Sequence, residues 1–293
     1  MRPSTLRSLI LCLWSLLLAE AAAHVLQDRS YVDRFDKFYH VTQGEWACSR
    51  MKLERIQYGI KEAHRLAEKS INVLKTKGAE TSPAFHLWFG ESNATPQMVD
   101  TLLKEHYQTA LSHLSFSKTP TRISFNKVPK FWAIKGNSKP TSRSIVYACP
   151  PDNDAAKLCG PGKLAAAVYE QRTEGQGGKS ALTGPTILGF CPNYFKHGVF
   201  TKNIDMVVKY RKDRKVDKPS RGFLLLHELQ RFSKATFPNP PAEDLNEPSG
   251  NKKCYSPECC SKLPDSEKIR NAQNYALFAL DVAASPATKT PTS

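Results

Sequence analysis

The stretch Gly222-Phe223-Leu224-Leu225-Leu226-His227-Glu228-Leu229-Gln230-Arg231-Phe232 carries an apolar run straight into a His-Glu pair. Its spacing predicts a helix from about Gly222 to Ala235. In the pattern His-Glu-x-x-His, two imidazoles four residues apart share one helix face and both ligate Zn²⁺. The Glu beside the first imidazole then activates a metal-bound water. Here His227 and Glu228 fit the first two positions, and Arg231 stands where the second His belongs. A guanidinium stays protonated at physiological pH and offers no lone pair, so it repels a metal ion instead of holding it. It can pair with a carboxylate and take over the metal's charge. The plain alternative for His227 and Glu228 is a helical pair hydrogen-bonded inside an ordinary core.

The rest of the chain sets the context for this helix. It has 293 residues, a formal charge of +15 and eight cysteines. A 40% hydrophobic content excludes a wholly disordered chain. No apolar run reaches the roughly 18 residues of a spanning helix, which excludes a multi-span membrane protein. Arg2 and Arg7, the apolar stretch from Leu9 to Leu18, and the small residues Ala19, Ala21, Ala22 and Ala23 predict a secretory signal peptide over residues 1–23. Its removal takes two Arg and one Glu and leaves a net charge of +14. For a secreted, extracellular chain the expected partners are an extracellular protein or peptide, and an anionic glycan or membrane surface; no specific nucleic acid is expected. The basic run from Lys209 to Arg221, seven Lys or Arg in thirteen residues, is the segment for such an anionic contact. Its bland reading is a solvated loop.

Secretion also predicts disulfides. Cys12 leaves with the signal peptide. Cys48, Cys149, Cys159, Cys191, Cys254, Cys259 and Cys260 remain, an odd number that leaves one thiol over. Cys149 and Cys159 bracket a turn-rich segment and are the expected local pair. The spacing of Cys254, Cys259 and Cys260 fits no common zinc pattern and is read as disulfide bonding.

Apolar periodicity predicts one long helix over residues 46–76 and a second over 96–115. The middle turns to short β-like runs, RISFNKV, KFWAIKG, SIVYAC and PTILGF. Residues 171–180 read as a flexible loop, residues 238–250 as irregular, and Ser266 to Val282 as the last helix. A Pro/Ser/Thr tail, residues 284–293, is expected to be disordered. Helices, then sheet, then helices predict a single α+β domain over residues 24–283. Asn93-Ala94-Thr95 is the only glycosylation sequon, and Pro96 follows at once.

The segment Asn271-Ala272-Gln273-Asn274-Tyr275-Ala276-Leu277-Phe278-Ala279 resembles the closing helix of the deuterolysin family, the secreted fungal lysine-specific metallo-endopeptidases. Cys191-Pro192-Asn193-Tyr194-Phe195 looks like the stretch that precedes that family's His-Glu helix, and the order of parts matches over most of residues 46–283. The resemblance implies a helix-rich, zincin-like metallopeptidase fold with a small central sheet. It implies zinc as the cofactor, His227 as a metal ligand, Glu228 as the catalytic residue and Asp244 as the third ligand, with Glu243 and Glu247 as rivals. The chain departs from the family at Arg231. It also lacks the Gly-Thr before the Asp and the Tyr-Gly after it. His197 is the candidate for a replacement imidazole.

Two functions follow. One is a degenerate, non-catalytic member, a pseudoenzyme, acting as an extracellular binding protein. The other is an active zinc metallo-endopeptidase in which Glu228 is the general base.

Overall fold

A computed structural model describes residues 37–113, 121–124, 144–153, 158–159, 165–174, 180–236, 240–248 and 250–285. The signal-peptide segment, the KFWAIKG run and residues 286–293 of the tail lie outside the described residues. In chain order the elements are β1 (Lys37–Gln43), α1 (Arg50–Leu74), α2 (Pro83–Phe89) and α3 (Pro96–Thr101). A π-helical stretch (Leu102–Gln108) leads into α4 (Thr109–His113). Then come β2 (Thr121–Ser124), β3 (Ser144–Ala148), β4 (Ala166–Glu174), β5 (Ser180–Phe190), α5 (Pro192–Phe195), α6 (Asn203–Asp213), α7 (Arg221–Gln230), α8 (Ser233–Thr236), α9 (Pro257–Lys262), α10 (Asp265–Lys268) and α11 (Ala272–Ala284). The architecture is α+β and helix-rich, with a small sheet.

The sheet runs β2-β1-β3-β5-β4. Its first four strands are parallel, and β4 closes the edge antiparallel to β5. Strand side chains alternate between faces. Ile145, Tyr147, Leu188 and Phe190 therefore join the helical core, while Val146, Ala148 and Ile187 meet Val41 and Trp46 on the other face.

The helical layer is built around α1, α7 and α11, which pack on one another. Ser49 starts α1 by accepting the Lys52 amide, and Ser220 starts α7 by accepting the Phe223 amide. Helix α1 buries Ile56, Ile60, Ala63, Ala67 and Leu74 along one stripe. Its Glu62 is buried too, and its carboxylate accepts the Asn203 amide (2.7 Å) and the Gly222 amide (3.2 Å). One acid thus caps the beginnings of both α6 and α7, where orphan amides and the helix dipole favour negative charge. Burial raises its pKa, and the two amides oppose that shift. Gly222 is required at this approach, because a Cβ there would overlap Glu62 and the Ala63 amide.

The segment from Asn271 to Ala279 is tied into the fold by its polar side chains. Asn271 occupies the N-cap position of α11, and its side chain donates to Asn274 Oδ1 (2.7 Å). Asn274 in turn donates to the Trp88 carbonyl (2.8 Å) and the Cys260 carbonyl (3.2 Å). Tyr275 Oη donates to the Ile269 carbonyl (2.7 Å). Asn274 and Tyr275 thus each donate to a backbone carbonyl outside this helix, while Asn271 and Asn274 also bond each other.

Several expectations are corrected. Cys149 bonds Cys48, and Cys159 bonds Cys191, so the expected Cys149–Cys159 pair does not form. The parallel pairing of β1 with β3 brings Cys48 to the end of β3, a neighbour that sequence distance hides. In the chain-entropy account, closing a loop of that length stabilises the fold by about 4–5 kcal/mol. The third disulfide is Cys254–Cys259, and among the described residues Cys260 is the free thiol. Residues 171–174 belong to β4 and residue 180 to β5, so the loop expected over 171–180 is shorter at both ends. The long helix begins at Arg50, not residue 46, because Glu45 and Trp46 turn the chain out of β1. The last helix is split, since α10 ends at Lys268 and the backbone is extended at Asn271 before α11 begins. That helix continues through Ala284, the first residue assigned to the tail. Helix α6 contains the front of the basic run, Lys209 to Asp213, so that part of it is helix and not a solvated loop.

Candidate functional site

The site lies at the C-terminal end of α7. That helix stops at Gln230, and Arg231 is its C-cap. Both His227 and Glu228 are buried, at 4% and 3% exposure.

The facing strand of chain comes from residues 240–248. Its position is set by backbone bonds on both sides. Ala242 N–H donates to the Gln230 carbonyl (2.9 Å), at the end of α7. Glu243 N–H donates to the Arg270 carbonyl (2.7 Å), and Ala272 N–H returns to the Glu243 carbonyl (2.9 Å). Cys254 N–H donates to the Leu245 carbonyl (2.8 Å). Asp244 is therefore clamped between the end of α7 and the beginning of α11.

This clamp brings together four of the residues singled out in the sequence. His227 Nε2 is 3.0 Å from Asp244 Oδ1. That is ion-pair distance, although Oδ1 accepts no well-aligned hydrogen bond. Arg231 Nη1 lies 3.0 Å from Glu228 Oε2 and 3.2 Å from Asp244 Oδ2. The ring of Tyr255 stands edge-on to His227, with centroids 5.8 Å apart. His227 Nδ1 is buried and without a hydrogen-bond partner.

The charges are coupled. Burial raises the Glu228 carboxyl above the usual glutamate value, with His227 and Arg231 pulling the other way. Burial also works to raise Asp244, but His227, Arg231 and Tyr255 outweigh it and hold that carboxyl below its ordinary value. Burial disfavours the Arg231 cation, and Glu228 and Asp244 more than restore it. The Tyr255 phenol is pushed up by burial and by the Asp244 charge.

An open cleft of about 450 Å³ borders the site, lined by Val168 and Glu170 of β4 and by Arg231, Ala242, Glu243, Asp244 and Lys253. Arg231 and Asp244 face this cleft. His227 and Glu228 do not line it. Of the rivals for the acidic position, Glu243 lines the cleft and pairs with Arg270 (3.3 Å), and Glu247 has its backbone amide tied to the Lys252 carbonyl (2.8 Å). His197 lies beside Arg55 (3.4 Å) and is exposed.

The donor set does not fit a zinc centre. The Arg231 guanidinium, a permanent cation, stands between the Glu228 and Asp244 carboxylates. Among the described residues no group of three or more His, Cys, Asp or Glu side chains is arranged to hold a metal.

Three contributors escaped the sequence reading. Tyr255 flanks His227 and Asp244, Lys253 Nζ donates to the Asp244 carbonyl (2.7 Å), and Glu170 accepts the Ser233 amide and hydroxyl just past Arg231. Tyr255 and Lys253 sit beside Cys254, whose disulfide anchors them near the site. That adjacency was the available signal. Glu170, on an edge strand far away in sequence, carried none.

The basic run is partly consumed by the fold. Lys209 pairs with Asp213 and Asp217, Arg214 with buried Asp281, and Arg211 with the Ala284 carbonyl. Arg221 donates to the Tyr194 carbonyl (3.0 Å) and lies over the Tyr194 and Phe200 rings. Lys212, Lys215 and Lys218 are exposed.

No protein-family model matches this chain, and no curated protein matches it. Among solved structures it is similar to one described as a zinc peptidase from Grifola frondosa, with 16% identity and a TM-score of 0.43, covering 80% of this chain and 97% of that one.

Proposed function

We propose that this chain is a secreted, metallopeptidase-like protein that does not hydrolyse peptide bonds and acts as an extracellular binding protein. The observation that carries the proposal is Arg231 Nη1 bridging Glu228 and Asp244. A general base must reach the water or proton it acts on. Glu228 is enclosed and already paired, and it does not line the cleft. The cleft instead presents Arg231, Asp244, Glu243, Glu170 and Lys253, a mixed-charge surface suited to polar and charged groups of a protein or peptide. Exposed Lys212, Lys215 and Lys218 are the proposed contact for an anionic glycan or membrane surface. Three disulfides support an oxidising, extracellular compartment.

The second reading, an active zinc metallo-endopeptidase, is favoured by one observation: His227 and Asp244, the two residues assigned as ligands, are in contact. Metal analysis of the purified chain, with protein digestion assayed with and without a chelator, separates the two. The binding-protein reading expects neither stoichiometric zinc nor chelator-sensitive digestion. Stoichiometric zinc together with digestion abolished by Glu228→Gln overturns it.

A further inference from the structure

The segment 254–260 holds three sulfurs in two possible pairings. The bond present joins Cys254 to Cys259. Cys260 is free and fully buried, and its Sγ lies only 3.8 Å from Cys254 Sγ. Two contacts hold that thiol against the disulfide. It donates to the Cys254 carbonyl (3.2 Å), and Asn271 Nδ2 donates to its sulfur (3.4 Å). The acceptor end is fixed as well, because the Cys254 amide is tied to the Leu245 carbonyl (2.8 Å). Cys259 and Cys260 are neighbours on α9, whose start is capped by Ser256. Disulfide sulfurs sit about 2.05 Å apart, so forming the alternative bond closes a gap of under about 2 Å. Cys254 lies just ahead of α9 and Cys260 within it, so the gap is between two side chains of one short segment.

We infer that Cys254, Cys259 and Cys260 form an internal thiol–disulfide exchange site with a cryptic reactive thiol at Cys259. The Cys260 thiolate attacks Cys254 Sγ. The Cys254–Cys260 bond forms, the Cys254–Cys259 bond breaks, and its electron pair leaves on Cys259. The proton lost by Cys260 is regained at Cys259, so the step is an isomerisation and needs no oxidant or reductant. Its consequence is positional. The free thiol moves from Cys260, which is fully enclosed, to Cys259, which is only partly buried. There it is open to a thiol-reactive electrophile or to the disulfide of a small thiol. Burial pushes the Cys260 thiol up to about 12, which keeps thiolate scarce and the resident pairing from scrambling at neutral pH. The exchanged sulfur belongs to the residue preceding Tyr255, so the two pairings tether differently a side chain packed on His227.

The test uses the full folded chain. N-ethylmaleimide is added under native, mildly alkaline conditions, the reaction is quenched with acid, and peptides are mapped without reduction. The adduct is expected on Cys259, in peptides that carry the Cys254–Cys260 bond. In Cys260→Ser the Cys259 adduct is expected to fall by about tenfold or more, because the attacking thiolate is gone. An adduct confined to Cys260, or no adduct before global unfolding, overturns the inference. Cys259→Ser is the second arm, and it should fold with a Cys254–Cys260 bond. Recovery of that variant folded with both cysteines reduced overturns the inference, and if it does not fold, the position of the adduct in the native chain decides alone.

Discussion

Arg231 Nη1 lies 3.0 Å from Glu228 Oε2, one helical turn back along α7, and closes that carboxylate off at the point where the helix ends. The same nitrogen reaches Asp244 Oδ2 at 3.2 Å, so a single guanidinium is shared by two acids from different segments. Charge neutralisation that an ion would supply from solvent is here covalently attached to the chain. Partial burial makes this arrangement sensitive to the loss of one member, because the survivors keep their desolvation cost.

Arg231→Ala leaves Glu228 and Asp244 facing each other without a cation. Removing one partner of a buried pair costs about 3–5 kcal/mol. The Arg231 side chain is 32% exposed, so solvent reduces this to an expected loss of about 2–3 kcal/mol. Equilibrium denaturation of the two proteins measures it. A difference below about 0.5 kcal/mol would show that the bridge contributes nothing to stability.

Arg231→His rebuilds His-Glu-x-x-His on α7. The second imidazole falls on the face of His227, with Asp244 already in contact. Zinc affinity by calorimetric titration should then exceed that of the parent chain by about tenfold or more. Equal affinity in the two proteins would mean that Asp244 is not placed to complete the site.

The helical framework was legible because periodicity survives in sequence: Ile56, Ile60, Ala63 and Ala67 form a stripe whatever they pack against. The run into His227 and Glu228 was legible for the same reason. What periodicity does not carry is pairing across distance. Cys149 looked local to Cys159 and instead meets Cys48 through the β1–β3 register, and Glu170 joins the cleft from an edge strand. Helix α6 was missed because its mixed-charge face resembles a solvated loop and its start depends on Glu62, a cap that arrives from α1. Asp244 was picked out through the family resemblance, and its contact with His227 depends on backbone bonds to Gln230 and Arg270 that no local pattern announces.

Asp244→Asn should change the pH dependence of stability. The folded carboxyl titrates below its unfolded value of about 3.9, so its contribution is complete above that pH. The contribution is lost as pH falls through the lower folded value, where the acid becomes as neutral as an amide. The gap in stability between parent and variant should therefore be widest above about pH 5 and shrink on acidification. Glu228, whose pKa is raised mainly by burial, pulls stability the opposite way with pH; its burial is common to both proteins, and only the smaller push from the Asp244 charge is lost in the variant. Thermal melts across the acid range give the answer, and a gap that stays constant would rule out a depressed Asp244.

Gly222→Ala tests whether the site helix is positioned from α1. The added Cβ overlaps Glu62 and the Ala63 amide, atoms that belong to the helix core and cannot swing aside. Overpacking of this kind costs about 1–3 kcal/mol. The displacement also pulls the Gly222 amide off Glu62 Oε2, which leaves a buried carboxylate short of one donor while the Asn203 amide still holds the other oxygen. The expected result is a lower melting temperature together with weaker protection of the first amides of α7 in hydrogen exchange, and less change in those of α6. Equal loss of protection in both helices would mean that Glu62, and not the close approach at Gly222, sets the position of α7.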